Sequence, residues 1–205
     1  MKYKKKGFDY SLLDVTIKLP EEYSPFDRVA VTGNNNPLVV EIGCGNGHFL
    51  TKQAVNNPHE NFIGIDLKDY RIVKSRMKEL SLNIPNVFWI NAEAQKALER
   101  MFEPSSIHQI YMTFPDPWPK KRHNKHRLFQ KDFIETLCKT LEVNGKFIFI
   151  SDHEEYYQWC IDLLHDEKRF EIVSNEYSND LTESAFGNIW KEENRLFYSF
   201  TMVKI

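Results

Sequence analysis

A short apolar run that ends in closely spaced glycines constrains this chain more than any other feature. Leu38-Val39-Val40-Glu41-Ile42 carries aliphatic residues on both sides of the strand period, as a strand buried on both faces requires. It runs into Gly43-Cys44-Gly45-Asn46-Gly47, and helix-like sequence follows from Gly47 to Asn57. Strand, glycine turn and helix in that order open a parallel α/β unit. The glycines let the backbone turn tightly and let a ligand approach within contact distance.

The same alternation continues down the chain. Further strands are expected over 61–65, 86–90, 107–114, 145–151, 170–177 and 196–203. Helices are expected over 70–80, 94–101, 128–141 and 154–164. This is the pattern of the α/β class, a doubly wound and mostly parallel sheet with helices on both faces. A length of 205 residues suits one such domain with a full core. Residues 1–36 begin with Lys2, Lys4, Lys5 and Lys6 and close on Gly33-Asn34-Asn35-Asn36-Pro37. They read as a basic N-terminal arm ahead of a single domain over 37–205.

The glycine turn departs from the dinucleotide fingerprint Gly-x-Gly-x-x-Gly, because the third glycine comes one residue early and His48 takes its place. Glu41, two residues before the first glycine, would repel a pyrophosphate and attract a cation. S-adenosylmethionine carries a sulfonium and an ammonium and no phosphate, so it fits this turn better than NAD does. Asp66, closing the second strand, is placed to accept hydrogen bonds from ribose hydroxyls. Asn91-Ala92-Glu93, closing the third, would lie near the adenine. Gly43 and Gly45 complete the expected cofactor set.

Thr113–Arg127 is the second informative stretch. Pro115, Pro117 and Pro119 stiffen the backbone around Asp116 and Trp118. Lys120, Lys121, Arg122, His123, Lys125, His126 and Arg127 follow. A carboxylate, a flat ring and a field of positive charge on one loop suit a nucleobase and a phosphate backbone. Each has a plainer reading: Asp116 as a turn former, Trp118 as a cap on the core, the cations as a solvated loop. Their placement on one short loop, at the sheet edge where α/β proteins bind ligands, favours the functional one. The net charge of −2 means that attraction to nucleic acid must come from such local patches.

Other classes fall away. The three cysteines are far apart, which suggests neither a zinc site nor a redox pair and suits a reducing cytosol. The seven histidines show no ligand spacing, so no metal is implied. A charged N-terminus and the lack of a long apolar run leave no signal peptide and no membrane span, and a cytoplasmic location is expected.

The order Glu41-x-Gly43-x-Gly45-x-Gly47, Asp66, Asn91-Ala92-Glu93 and Pro115-Asp-Pro-Trp-Pro-Lys-Lys-Arg-His123 resembles the tRNA (guanine-N7-)-methyltransferases, over roughly residues 38 to 200. The resemblance implies a seven-stranded sheet with its last strand antiparallel. It implies methyl transfer from S-adenosylmethionine to N7 of a guanosine in the tRNA variable loop. Glu41, Asp66 and Glu93 match the family's cofactor acids. Asp116 matches its catalytic acid, also near the cofactor. Lys120 and Asp152 match substrate-contacting positions. The family's Thr-x-x-Glu, or its Thr-Glu-Glu variant, resembles Thr182-Glu183-Ser184-Ala185 here, in which Thr182 and Glu183 fit the variant. Counting back from Phe197-Tyr198 would instead place Ser184 and Gly187 at those positions. Lys121, Arg122, Lys125 and Arg127 are the expected phosphate contacts. Two alternatives stand beside this reading: methylation of an exocyclic base amine, and a non-catalytic RNA-binding module of the same fold. Either a monomer or a homodimer is compatible with the sequence.

Overall fold

The computed structural model describes residues 9–14, 16–174 and 196–205. Seven strands form one seven-stranded sheet, and the chain divides into two compact units, Met1–Phe102 and Glu103–Ile205.

The first unit holds β1 (Leu38–Ile42), β2 (Asn61–Asp66) and β3 (Val87–Asn91), all parallel, in the order β3-β2-β1. Every residue of β1 and β2 is buried, which explains why these strands show no polar alternation. Helices α1 (Arg28–Thr32), α2 (His48–Asn56), α3 (Asp69–Leu82) and α4 (Ala94–Met101) belong to this unit. Helix α4 buries Ala97, Leu98 and Met101, a spacing that puts all three on one stripe.

Much of the arm expected over 1–36 is built onto this unit. Ile17 bridges Ile90 in parallel and donates its N–H to Trp89 O at 3.1 Å, covering the edge of β3. Ser24 N and Phe26 N donate to the carbonyls of Arg100 and Met101 at 2.8 and 3.1 Å. Asp27 caps α1 by accepting from Ala30 N, and Gly33 ends that helix in the left-handed region at φ 78°. Asn61 Nδ2 then donates to Thr32 Oγ1 and Asn34 Oδ1, pinning the end of the arm to β2.

The second unit holds β4 (Ile107–Thr113), β5 (Leu141–Ser151), β6 (Phe170–Ser174) and β7 (Tyr198–Lys204), in the order β4-β5-β7-β6. Strands β4 and β5 are parallel, and β7 runs antiparallel to both β5 and β6. Helices α5 (Lys131–Thr140) and α6 (Glu154–Leu164) complete it. Its core is aromatic: Phe129, Phe133, Phe147, Phe149 and Phe200 are buried together, with Phe149 and Phe200 stacked at 5.2 Å between centroids.

Two element starts lie three or more residues from expectation, the other expected ones within two. Helix α5 starts at Lys131 rather than 128, because the preceding residues are held extended: Phe129 N donates to Tyr156 Oη and Trp159 Nε1 to Phe129 O. Strand β5 starts at Leu141 rather than 145. Asn144 is left-handed at φ 66°, and the register against β4 jumps from Ile107↔Leu141 to Gln109↔Lys146. The strand therefore passes through an irregular section that reads, in sequence, as a loop.

Candidate active site

Parallel register brings the ends of β1, β2 and β3 to one edge of the first unit. Ile42 lies opposite Ile65, and Asp66 opposite Asn91. The turn after β1 starts with Gly43 N and Cys44 N donating to Ile65 O at 2.8 and 3.1 Å. Gly43, Gly45 and Gly47 all have positive φ, at 71°, 58° and 69°. At Gly43 a Cβ would meet nothing within 4 Å, so that side of the turn is open to a ligand. At Gly47 it would come to 2.7 Å from Trp89 Cη2 and 2.8 Å from Ser75 Oγ, so the third glycine serves packing.

Asp66 is 5% exposed and organises this edge. It accepts from Gly45 N at 3.1 Å, from Lys68 N at 2.8 Å and from Arg71 Nη1 at 3.3 Å. A carboxylate offers about four lone-pair sites, so these three contacts leave one with which a ribose hydroxyl could be met. Asn91 Nδ2 donates to the carbonyls of Asp66 and Leu67, and Ala92 N donates to Asp66 O. Glu93 stands at the N-cap position of α4 and pairs with Lys96 at 2.7 Å. Glu41, only 2% exposed, lies within β1 opposite Gly64. Burial, then the charges of Glu41 and Asp66, push the Cys44 thiol well above its ordinary range. The carboxylates of Glu41 and Asp66 beside the turn, partly offset by Arg71, suit a cation better than a pyrophosphate. Asn46 Oδ1, inside the turn, is buried without a hydrogen-bond partner. Open glycines, an idle acceptor and paired acids fit S-adenosylmethionine.

Replacing Gly47 with Ala is expected to destabilise the protein by about 2–6 kcal/mol, the sum of left-handed strain and overpacking. Gly33→Ala, at φ 78° with nothing within 4 Å, carries the backbone strain alone and is the control. Urea unfolding of both variants checks this. Equal losses would mean that Trp89 and Ser75 yield without cost.

In the second unit, Thr113 lies opposite Ile150, so the loops after β4 and β5 leave the same edge side by side. Phe114 N donates to Ile150 O at 2.8 Å. Asp116 is exposed in the loop after β4, and Asp152 is half-buried directly after β5. Phe114 and Trp118 take left-handed backbone at φ 50° and 47°, among prolines. Residues Lys121–His126 form a 3-10 turn in which His123 N donates to Lys120 O. Lys120, Arg122 and Lys125 are exposed.

Arg127 does not join them, and its expected phosphate contact is corrected here. Only 2% exposed, it donates through Nε to Pro117 O at 2.9 Å and through Nη2 to Glu155 at 3.3 Å. Its guanidinium lies over the rings of Tyr156 at 5.0 Å and Trp159 at 5.5 Å. Flanking aromatics on α6 drew this cation inward. Trp118 does not cap the core: it is 38% exposed, against the imidazoles of His123 and His126. Arg71, Asn46 and the anchoring role of Arg127 went unread in the sequence. Asn46 was signalled only by lying between glycines. Arg71 had no signal beyond its place in a basic helix. Thr182 and Glu183 lie outside the described residues.

Among the described residues no group of three His, Cys, Asp or Glu side chains is placed to hold a metal ion, and no helix is long and apolar enough to cross a membrane.

Comparison with known proteins adds to this geometry. Residues 35–200 match the family model described as "Putative methyltransferase". A tRNA (guanine-N(7)-)-methyltransferase of Listeria welshimeri is 34% identical, the match covering 89% of this chain and 84% of that protein. One from Thermotoga maritima is 31% identical over 88% of this chain and 58% of its own length. One from a Geobacillus strain is 36% identical over 80% and 74%. The chain therefore spans little more than half of the Thermotoga relative. Among solved structures, the 16S rRNA methyltransferase KamB superposes with a TM-score of 0.65 at 14% identity, over 90% of this chain and 96% of that one. Likeness at that identity concerns the Rossmann-like methyltransferase fold.

Proposed function

The chain belongs to the tRNA (guanine-N(7)-)-methyltransferase family, and from that premise we propose that it transfers a methyl group from S-adenosylmethionine to N7 of a guanosine in the variable loop of tRNA. The observation that carries the reading is the edge shared by two loops of the second unit. Parallel pairing of β4 and β5 sets Asp116 and Asp152 on neighbouring loops, and the first continues into exposed cations.

Glu41, Gly43, Gly45, Asp66, Asn91, Ala92 and Glu93 would hold the cofactor, which supplies an electrophilic methyl group on a sulfonium. Guanine N7 presents an in-plane lone pair and no proton, so the chain need not supply a general base. Its task is alignment and charge stabilisation. As N7 is alkylated, positive charge develops on the purine and its N1–H and amino hydrogens become stronger donors. A fixed carboxylate that accepts them stabilises the transition state more than the ground state. Asp116 takes that role, while Asp152 and Lys120 hold the base; Thr182 and Glu183 add guanosine contacts. Lys121, Arg122 and Lys125 neutralise phosphates and offset the few kcal/mol, in general terms, of taking a base from its stack.

The test is methyl transfer from labelled S-adenosylmethionine to unmodified tRNA at low salt, followed by nucleoside mass spectrometry. The expected product is 7-methylguanosine. A methylated exocyclic amine would replace the proposed atom. Absence of label, together with no calorimetric binding of the cofactor, would leave an RNA-binding module.

A further inference from the structure

We propose that the exposed indole of Trp118, flanked edge-on by His123 at 87° and tilted at 45° to His126, is a shelf on which an unpaired base of the RNA substrate stacks. This rests on the reading of the chain as an RNA methyltransferase, and it concerns recognition, separate from the carboxylate that assists the reaction.

Three observations converge. The rings gather at one point of the loop: Trp118 and His126 have centroids 5.1 Å apart, Trp118 and His123 5.9 Å, and the two imidazoles 5.9 Å. Trp118 is nevertheless 38% exposed, on a left-handed residue at φ 47° between two prolines. Bulky residues rarely adopt that backbone, and strain of this kind persists where the surroundings impose it. Here the imposing element is visible. Buried Arg127 holds the carbonyl of Pro117, the residue before the indole, and is itself fixed to Glu155, Tyr156 and Trp159 on α6.

The surroundings identify the occupant. Lys120, Arg122 and Lys125 are exposed on the same short segment, so the rings lie within a positively charged surface. A purely apolar partner would leave those cations unanswered. A phosphate chain carrying unstacked bases satisfies both features: every base has a face that stacks on indole or imidazole, while its phosphates meet the lysines.

The test compares two single-stranded RNA probes with the same number of phosphates, one bearing bases and one abasic. The wild-type protein is expected to bind the base-bearing probe about tenfold more tightly, the range of one base–aromatic stack. Trp118→Phe should keep most of that preference, and Trp118→Leu should abolish it. The dependence of binding on salt should stay unchanged in both, because no phosphate contact is removed. Calorimetry with S-adenosylmethionine and thermal melting verify that the variants are folded. A wild type that binds both probes equally overturns the shelf, as does a Trp118→Leu protein that keeps the preference or changes only in self-association. Either result is independent of which atom is methylated, since the probes report binding alone.

Discussion

Asp116→Asn is expected to lower the turnover of tRNA methylation by about a hundredfold to a thousandfold, the loss typical of removing one preorganised group that stabilises transition-state charge. The substitution keeps the shape of the side chain and one carbonyl oxygen. On the proposed mechanism, it removes the negative charge that faces the purine as it becomes cationic. Asp116 is exposed, and Pro115 and Pro117 hold its backbone whatever its side chain, so the fold should be untouched. The loss should therefore fall on kcat, with KM for tRNA changed little. Initial rates at saturating cofactor measure it. Turnover near the wild-type value, in folded protein, would transfer the role to Asp152.

Asp66→Ala should have a comparable effect on a different quantity, cofactor affinity. Asp66 does two things at once. It holds the glycine turn through Gly45 N, at 3.1 Å, and it would present an acceptor to the ribose. Each hydrogen bond to a charged group contributes about 1.5–3 kcal/mol. Losing a ribose contact and a turn anchor together should weaken S-adenosylmethionine binding by on the order of a hundredfold or more. Titration calorimetry reads this directly, without RNA. Asp66→Asn should recover little, because an amide nitrogen placed toward Gly45 N–H offers a donor to a donor. Unchanged affinity would remove Asp66 from the cofactor set.

The parts of this fold that could be read from the sequence were those whose burial is uniform. The strands over Leu38–Ile42 and Asn61–Asp66 are buried at every position, so their apolar runs stand out against any neighbour. Helix α4 was read to the residue, and its buried stripe, Ala97, Leu98 and Met101, ends with the helix. What escaped depended on contacts distant in the chain. Nothing in Lys-Lys-Arg-His-Asn-Lys-His-Arg distinguishes the last arginine from the others. Its inward turn is decided by Glu155, Tyr156 and Trp159, about thirty residues away. The late start of α5 has the same origin, because Tyr156 and Trp159 claim the backbone of Phe129. The early start of β5 escaped for a local reason, the left-handed Asn144 before Gly145, which resembles a hairpin turn on paper. In the candidate site, Asp66 closes β2 and the glycine turn follows β1, places that the apolar strand runs themselves mark. The Arg71 contact follows from how α3 docks, and sequence spacing does not encode that.

Trp89 has a wider consequence. Its indole lies where a Cβ on either Gly47 or Gly64 would be, and its Nε1 donates to the buried Glu79 on α3 at 2.8 Å. One side chain thus ties the glycine turn, the second strand and a helix into a single cooperative block. The turn cannot rearrange alone, so a ligand meets a receptor already shaped, and little ordering entropy is spent when it arrives. Heat that frees the indole releases the turn with it. A ligand that binds only the intact turn therefore also stabilises this half of the protein.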